Sequence, residues 1–346
     1  MKASLRYSKN EIDKAGKVLA GICDLKINQD MAIEILENFR SIHIHPLMVF
    51  RMSLYRKSKL ISDNILISQR LKRAPSIVNK LKIQKSMSLS QMQDIGGLRV
   101  IVNTLEDVYK LKELIRSGEK QFAFKSSLVR ETDYIQNPKD SGYRSIHLVY
   151  KYEKNVPINS QCRIEIQIRT RIHHAWATAV EIIGAYLRQP LKQSFGNKEL
   201  LDLFKEISKV FILLENEQFD INLFKNTSQK IDELKLRDKL KGFSVATQLS
   251  TQGNQKEQGK YFLIALNFKN KTLSVQRYTE SKLDEANNEY SEQEKKYLND
   301  KNMEVVLVSV DDINNLSKLY PNYFLDTQEF VKLLDLIDKK ILENAK

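Results

Sequence analysis

Apolar and polar positions alternate without a break through Arg163-Ile164-Glu165-Ile166-Gln167-Ile168-Arg169. At a period of two, Ile164, Ile166 and Ile168 share one face, and Arg163, Glu165, Gln167 and Arg169 share the other. The run predicts a half-buried strand. Its polar face has two readings. It is a solvated surface, or it presents one carboxylate among cationic and amide groups to an anionic, metal-bound substrate. A second run, Ser145 to Lys151, predicts another strand, with Tyr143, Ser145, His147 and Val149 falling on one side.

Around these two strands the period changes to that of helices. Residues 8–42 predict two short helices, with Asn28 or Asp30 as N-cap of the second. Pro46 opens a third, whose apolar face carries Leu47, Phe50 and Leu54. Ser62 to Leu81 reads as helical, cut by Pro75. Gln93 to Val102 is a polar entry into an apolar strand, Leu105 to Ser117 a helix, and Phe124 to Ile135 a strand region. Asn137 to Gly142 is a turn. After Arg169 a helix puts His173, Trp176, Ala177, Val180, Ile183, Gly184 and Leu187 on one core-facing side. Asn197 to about Leu240 predicts two further helices, and Ser250 to Gly259 a polar linker. Beyond it, YFLIALNF, KTLSVQRYT and MEVVLVSV read as strands, and 281–300 and 327–340 as helices. The element order predicts α+β, with a mixed or largely antiparallel sheet flanked by helices. The expected divisions are N-terminal helices over 1–45, a central domain over 46–190, a helical segment over 191–249 and a small α/β module over 256–346. That module has no glycine-rich phosphate loop, and the sequence assigns it no chemistry.

At 346 residues and 42% hydrophobic content, the chain has material for more than one core. It contains no apolar run of about 18 residues, so no membrane span is expected. The start lacks an apolar signal region. The two cysteines, Cys23 and Cys162, form neither a metal pattern nor a disulfide framework, which suits a reducing cytoplasm. The net charge of +13 changes the picture more. Such a balance attracts polyanions. The excess is local: between residues 51 and 100, Arg51, Arg56, Lys57, Lys59, Arg70, Lys72, Arg73, Lys80, Lys82, Lys85 and Arg99 face only Asp63 and Asp94. His43 and His45 read as surface or interface residues. The adjacent His173 and His174 point about 100 degrees apart and suit packing or capping better than metal binding.

Two carboxylates stand at the edges of predicted strands, Asp94 and Glu165. Such a pair can share Mg²⁺, a hard ion that takes few carboxylates plus phosphate oxygens. Arg70, Lys72 and Lys80 lie near in sequence, and Lys139 and Arg144 flank the Gly142 turn. Tyr143 offers a ring to a base. GxxxxGK[ST] is absent, so phosphates would be held by side chains rather than a backbone nest. The combination points to a nucleotidyltransferase-like site.

Asp94-Ile95-Gly96-Gly97-Leu98-Arg99, Asp133-Tyr134-Ile135, Pro138-Lys139, Gly142-Tyr143-Arg144-Ser145-Ile146-His147 and Glu165-Ile166-Gln167-Ile168-Arg169-Thr170, in that order, resemble the RelA/SpoT family of alarmone synthetases over roughly residues 45–190. The resemblance implies a nucleotidyltransferase fold related to the polymerase-β group. It implies transfer of pyrophosphate from ATP to the ribose 3′-OH of GDP or GTP, with Mg²⁺, as in the stringent response. By position it implies that Arg70 and Arg99 sandwich the adenine and that Lys72 and Lys80 bind the ATP phosphates. Asp94 and Glu165 would hold the metal, with Glu165 also able to activate the 3′-OH. Tyr143 would stack on the guanine, and Lys139, His147 and Gln167 would position acceptor and phosphates. Thr132 stands where many members carry lysine, which removes a cation near the acceptor. Residues 1–45 are too few for a hydrolase domain, so a small, synthetase-only member is expected, and a homo-oligomer is compatible with it. Two alternatives stand beside it. One is a toxin-type member that pyrophosphorylates the 3′ end of tRNA or makes another alarmone. The other is a non-enzymatic, basic nucleic-acid-binding protein.

Overall fold

A computed structural model describes residues 4–22, 27–117, 126–153, 162–187, 189, 191, 196–244, 248–252, 260–267, 269–270, 272–297, 300, 302–309 and 327–344. Cys23 and most of the expected linker, 253–259, lie outside them; residues 248–252 at its start form a strand.

Three helices come first: α1 (Lys9–Leu19), α2 (Gln29–Ser41) and α3 (Ile44–Ser58). Ser8 and Glu11 close a capping box on α1. The Asn28 side chain, not Asp30, caps α2 by accepting from the Met31 N–H. Then follow β1 (Leu66–Leu71), α4 (Ala74–Ile83), β2 (Gly96–Val102), α5 (Leu105–Ser117), β3 (Ser126–Asp133), β4 (Ile146–Tyr152) and β5 (Arg163–Thr170). Helix α6 (Arg171–Tyr186) leaves β5 directly, with Thr170 as its cap. The remainder is α7 (Lys198–Glu215), α8 (Ile221–Glu233), α9 (Leu236–Ser244), β6 (Gln248–Gln252), β7 (Tyr261–Asn267), β8 (Thr272–Tyr278), α10 (Leu283–Lys296), β9 (Met303–Ser309) and α11 (Gln328–Asn344).

Among the described residues, nine strands join one mixed sheet in the order β3-β4-β5-β2-β1-β9-β7-β8-β6. β2 runs parallel to β5 and β6 parallel to β8; the other neighbours are antiparallel. The strands expected in a small C-terminal module therefore extend the same sheet, through the β1–β9 pairing. On one face, Ile164, Ile166 and Ile168 join Leu98, Val100 and Ile67 in a core with α1 to α5. On the other face, Phe262, Ile264, Val306 and Val308 pack against α6 to α9 and α11. Apolar cover on that second face stops short of the polar rows of β3, β4, β5, β2 and β1, and there the site opens.

Three expectations need correction. Ser62 to Leu81 is not helical throughout: 66–71 form β1, and the helix begins only at Ala74, with Pro75 in its first turn. Pairing on both sides, with β2 and β9, overrides a weak local preference. Residues 197–240 hold three helices rather than two. The chain turns at Glu217 and Lys235, both at positive φ without a glycine to signal it. His43 is buried, not superficial: its Nδ1 meets Phe39 O at 2.8 Å, and burial pushes its pKa down to about 4. Among the described residues, no helix is long and apolar enough to cross a membrane.

Ile166 is fully buried at the centre of β5. Ile166→Ala is expected to cost about 2–5 kcal/mol of stability, read as a lowered urea midpoint.

Candidate active site

Register builds the site, because cross-strand partners point to the same face. One row reads Arg130 (β3), Val149 (β4), Glu165 (β5), Gly97 (β2), Arg70 (β1). The next reads Thr132, His147, Gln167, Arg99, Ser68. Gly97 contributes no side chain, so the floor between Glu165 and Arg70 stays open. Above these rows lies a cavity of about 570 Å³. Arg70, Lys72, Lys80, Asp94, Arg99, Lys139, Tyr143, His147, Glu165 and Gln167 all line it. Of the four polar residues on the β5 alternation, only Glu165 and Gln167 do so. Arg169 is buried and bonded to His174, and Arg163 donates to Gln91 O at 3.3 Å.

Asp94 precedes β2, and Lys72 follows β1. The Lys72 N–H donates to Ile95 O at 2.8 Å, which locks the two segments together. The Asp94 carboxylate is shared: Lys72 Nζ donates to Oδ2 and Lys80 Nζ to Oδ1, each at 2.9 Å. Burial works against ionisation of Asp94, but the two ammonium groups outweigh it and hold its pKa at about 2. Burial likewise draws the Lys72 pKa down, with Asp94 opposing.

Glu165 is tied differently. His147 Nδ1 lies 2.9 Å from Oε1, and Gln167 Nε2 donates to Oε2 at 2.8 Å. Burial raises its pKa, but the His147 and Gln167 contacts prevail and leave it below the usual range, despite the charge of Asp94. An ionised carboxylate only accepts, so His147 Nδ1 donates. His147 Nε2 lies 2.8 Å from the Tyr143 hydroxyl, which donates to it when the ring is neutral. A line of hydrogen bonds thus runs from Tyr143 through His147 to Glu165.

Tyr143 is nearly buried. Its ring meets Tyr134 and His147 edge-on, and Lys139 Nζ lies 5.2 Å from its centroid and 4.6 Å from that of Tyr134. Burial depresses the Lys139 pKa; Glu165 opposes this, and Lys80 and Arg130 add to it. Behind Tyr143 the backbone is tightly constrained. Gly142 has φ +90°, and a Cβ there would come within 2.8 Å of Ser208 Cβ on α7. The Ser208 hydroxyl donates to Gly142 O at 2.6 Å. Glu215, at the end of α7, accepts from Arg144 at 2.7 Å, Thr170 at 2.5 Å and His173 at 2.8 Å. The Tyr143 loop, the β5–α6 junction and α7 are thereby pinned together. His173 packs and caps, as its spacing suggested.

The residues lining the cavity include six cationic side chains, Arg70, Lys72, Lys80, Arg99, Arg130 and Lys139, against two carboxylates, Asp94 and Glu165. Arg130 and Tyr134 went unassigned in the sequence. Their signal is the spacing of two that Arg130, Thr132 and Tyr134 share; Arg130 Nε also donates to Thr132 Oγ1 at 3.2 Å. Among the described residues, no group of three or more His, Cys, Asp or Glu side chains could hold a metal. Two carboxylates whose charges influence each other, in a cavity lined by cations, fit the donor set that Mg²⁺ takes.

Residues 69–189 match the family described as the region found in RelA/SpoT proteins. GTP pyrophosphokinase YwaC of Bacillus subtilis is 31% identical over 162 residues, 44% of this chain and 70% of that protein. GTP pyrophosphokinase YjbM of the same organism is 38% identical over 116 residues, 32% of this chain and 52% of that protein, so the chain matches only about half of this second relative. A crystal structure of small alarmone synthetase 1 from Bacillus subtilis, bound to its product pppGpp, is 26% identical. It covers 53% of this chain and 94% of its own, with a TM-score of 0.44.

The lowered pKa of Asp94 sets a pH dependence. A carboxylate depressed on folding stabilises the fold above its unfolded value of 3.8, and that gain is lost as pH falls toward about 2. The wild type is therefore expected to melt above Asp94→Asn at neutral pH. The margin should close between about pH 4 and pH 2 in thermal denaturation.

Proposed function

We propose that this chain, which belongs to the RelA/SpoT family, transfers the β,γ-pyrophosphate of ATP to the ribose 3′-OH of GDP or GTP. The acceptor oxygen attacks the β-phosphorus in line, the bond to the α-phosphate oxygen breaks, and AMP leaves. One observation carries the reading: two ionised carboxylates face six cations in one cavity, and one carboxylate ends a hydrogen-bonded line from a tyrosine. Two nucleotides bring about seven negative charges to one place, and catalysis is then largely positioning and neutralisation.

Arg70 and Arg99 are diagonal neighbours across β1 and β2, which suits two guanidinium planes around adenine. Lys72 and Lys80 turn from Asp94 to the phosphates when ATP enters. Asp94 and Glu165 would hold Mg²⁺, which supplies charge neutralisation at the phosphates. A Glu165 held below the usual range is a better metal ligand and orienting acceptor than proton abstractor. Tyr143 takes the guanine on the ring face that Lys139 approaches, and Lys139 moves to acceptor phosphate. His147 and Gln167 keep Glu165 in place. The nucleotide substrates make the cytoplasm the working compartment.

The test is transfer from γ-labelled ATP with GDP, GTP, GMP and tRNA side by side. Label is expected in a 3′-pyrophosphorylated guanine nucleotide, with AMP as co-product. Asp94→Asn and Glu165→Gln should each lose about 10²-fold or more in kcat while retaining the fold. Label on tRNA alone would move the acceptor to RNA; no labelled acceptor would defeat the reading.

A further inference from the structure

The segment Gln69–Ala74 joins β1 to α4 and carries Arg70 and Lys72; α4 then carries Lys80. The C-terminal half grips this segment at four points. Gln69 pairs with Ser309, and Arg70 with Val308. Arg73 meets Glu304 of β9 at 2.8 Å. The Ala74 N–H donates to Oε1 of Glu294 on α10 at 2.8 Å.

The last contact fills a gap that the local sequence leaves. The first N–H groups of a helix have no partner within it. Arg73 stands at the N-cap of α4 and makes no side-chain cap, since a guanidinium has only donors. Pro75 in the first turn has no N–H to satisfy. Ala74 is left with a donor that no neighbouring side chain accepts from, and the acceptor arrives from 220 residues away. A carboxylate is also the group that a helix N-terminus favours.

Glu294 is itself held firmly. Arg40, on the last turn of α2, donates from Nη1 to Oε2 at 2.5 Å, and the Tyr290 hydroxyl donates to Oε1 at 2.9 Å. Arg40 Nη2 reaches the Tyr290 oxygen at 2.8 Å. Arg40 and Glu294 are both almost completely buried. An acceptor so fixed leaves the start of α4 little freedom, and with it the lysines that grip Asp94.

Building on the ATP assignment above, we propose that Glu294 is a positioning residue for the ATP half of the site. It caps α4 from the C-terminal half and so sets where Lys72 and Lys80 stand. The residues beyond 256 then complete the ATP site rather than accompany it.

Steady-state kinetics of the full chain tests this with Glu294→Ala, Glu294→Gln and Ala74→Pro, beside thermal melts of each. Glu294→Ala is expected to raise KM for ATP about fivefold or more, the scale of a lost helix cap, and to leave KM for the acceptor within about twofold. Glu294→Gln keeps an oxygen for the Ala74 N–H. It is expected to melt lower, because Arg40 loses its charge partner, yet to hold KM for ATP near wild type. Ala74→Pro removes the donor and sets ring carbon against Glu294 Oε1, at a first helical position where the backbone itself tolerates proline, and should raise KM for ATP as Glu294→Ala does. It carries the test alone if Glu294→Ala fails to fold. An active wild type whose KM for ATP is unmoved by Ala74→Pro overturns the positioning role and leaves the ATP assignment standing. So does a rise of both KM values together, in step with falling Tm. A wild type that transfers nothing from ATP removes the assignment and the positioning role together.

Discussion

The parallel pairing of β2 with β5 sets Gly97 beside Glu165, and the other cavity-lining side chains are arranged around that register. A slip of one residue would turn every side chain of a strand to the opposite face. Ile164, Ile166 and Ile168 forbid it, since they fill the core against α1 to α5. Burial on one face thus fixes the polar row on the other. The same register puts Arg99 beside Gln167 and, one strand over, Arg70 beside Gly97.

Both carboxylates of the cavity are held by neighbouring donors. Lys72 and Lys80 share Asp94, His147 and Gln167 share Glu165, and Lys139 lies over two tyrosine rings. Each contact keeps a charged group in place with its burial offset by a partner. The proposed nucleotide binding would then be an exchange of partners. On the proposed function, phosphate oxygens would take over the lysines and free the carboxylates for a cation. An excess of positive groups over two carboxylates favours that exchange for a polyanion and for little else.

Much of this was legible in the sequence, for physical reasons. The ten residues singled out, several of them through the family resemblance, lie on strands, beside strand ends, in the turn before β4 or, for Lys80, on α4, and all ten line one cavity. Tyr143 and His147, four residues apart on alternating positions, bond to each other. What stayed hidden depends on distant partners. Strand β1 read as helix because its evidence lies in partner strands, β2 about 25–35 residues on and β9 some 240 residues on. The cap of α4 is hidden for the same reason. Arg130 and Tyr134 shared the alternation with Thr132, but the strand, which ends before Tyr134, is too irregular to fix its facing alone, with a register shift between Leu128 and Arg130. His43 looked superficial because nothing local shows that Phe39 and the core close over it.

On the proposed function, Asp94 exchanges its lysines for a cation when ATP arrives. Calorimetric titration of a non-hydrolysable ATP analogue, with and without Mg²⁺, measures this in the wild type and in Asp94→Asn. Mg²⁺ is expected to tighten binding to the wild type by about tenfold or more, and that gain should vanish in Asp94→Asn, which still binds the metal-free analogue. An equal gain from Mg²⁺ in both proteins would contradict the account.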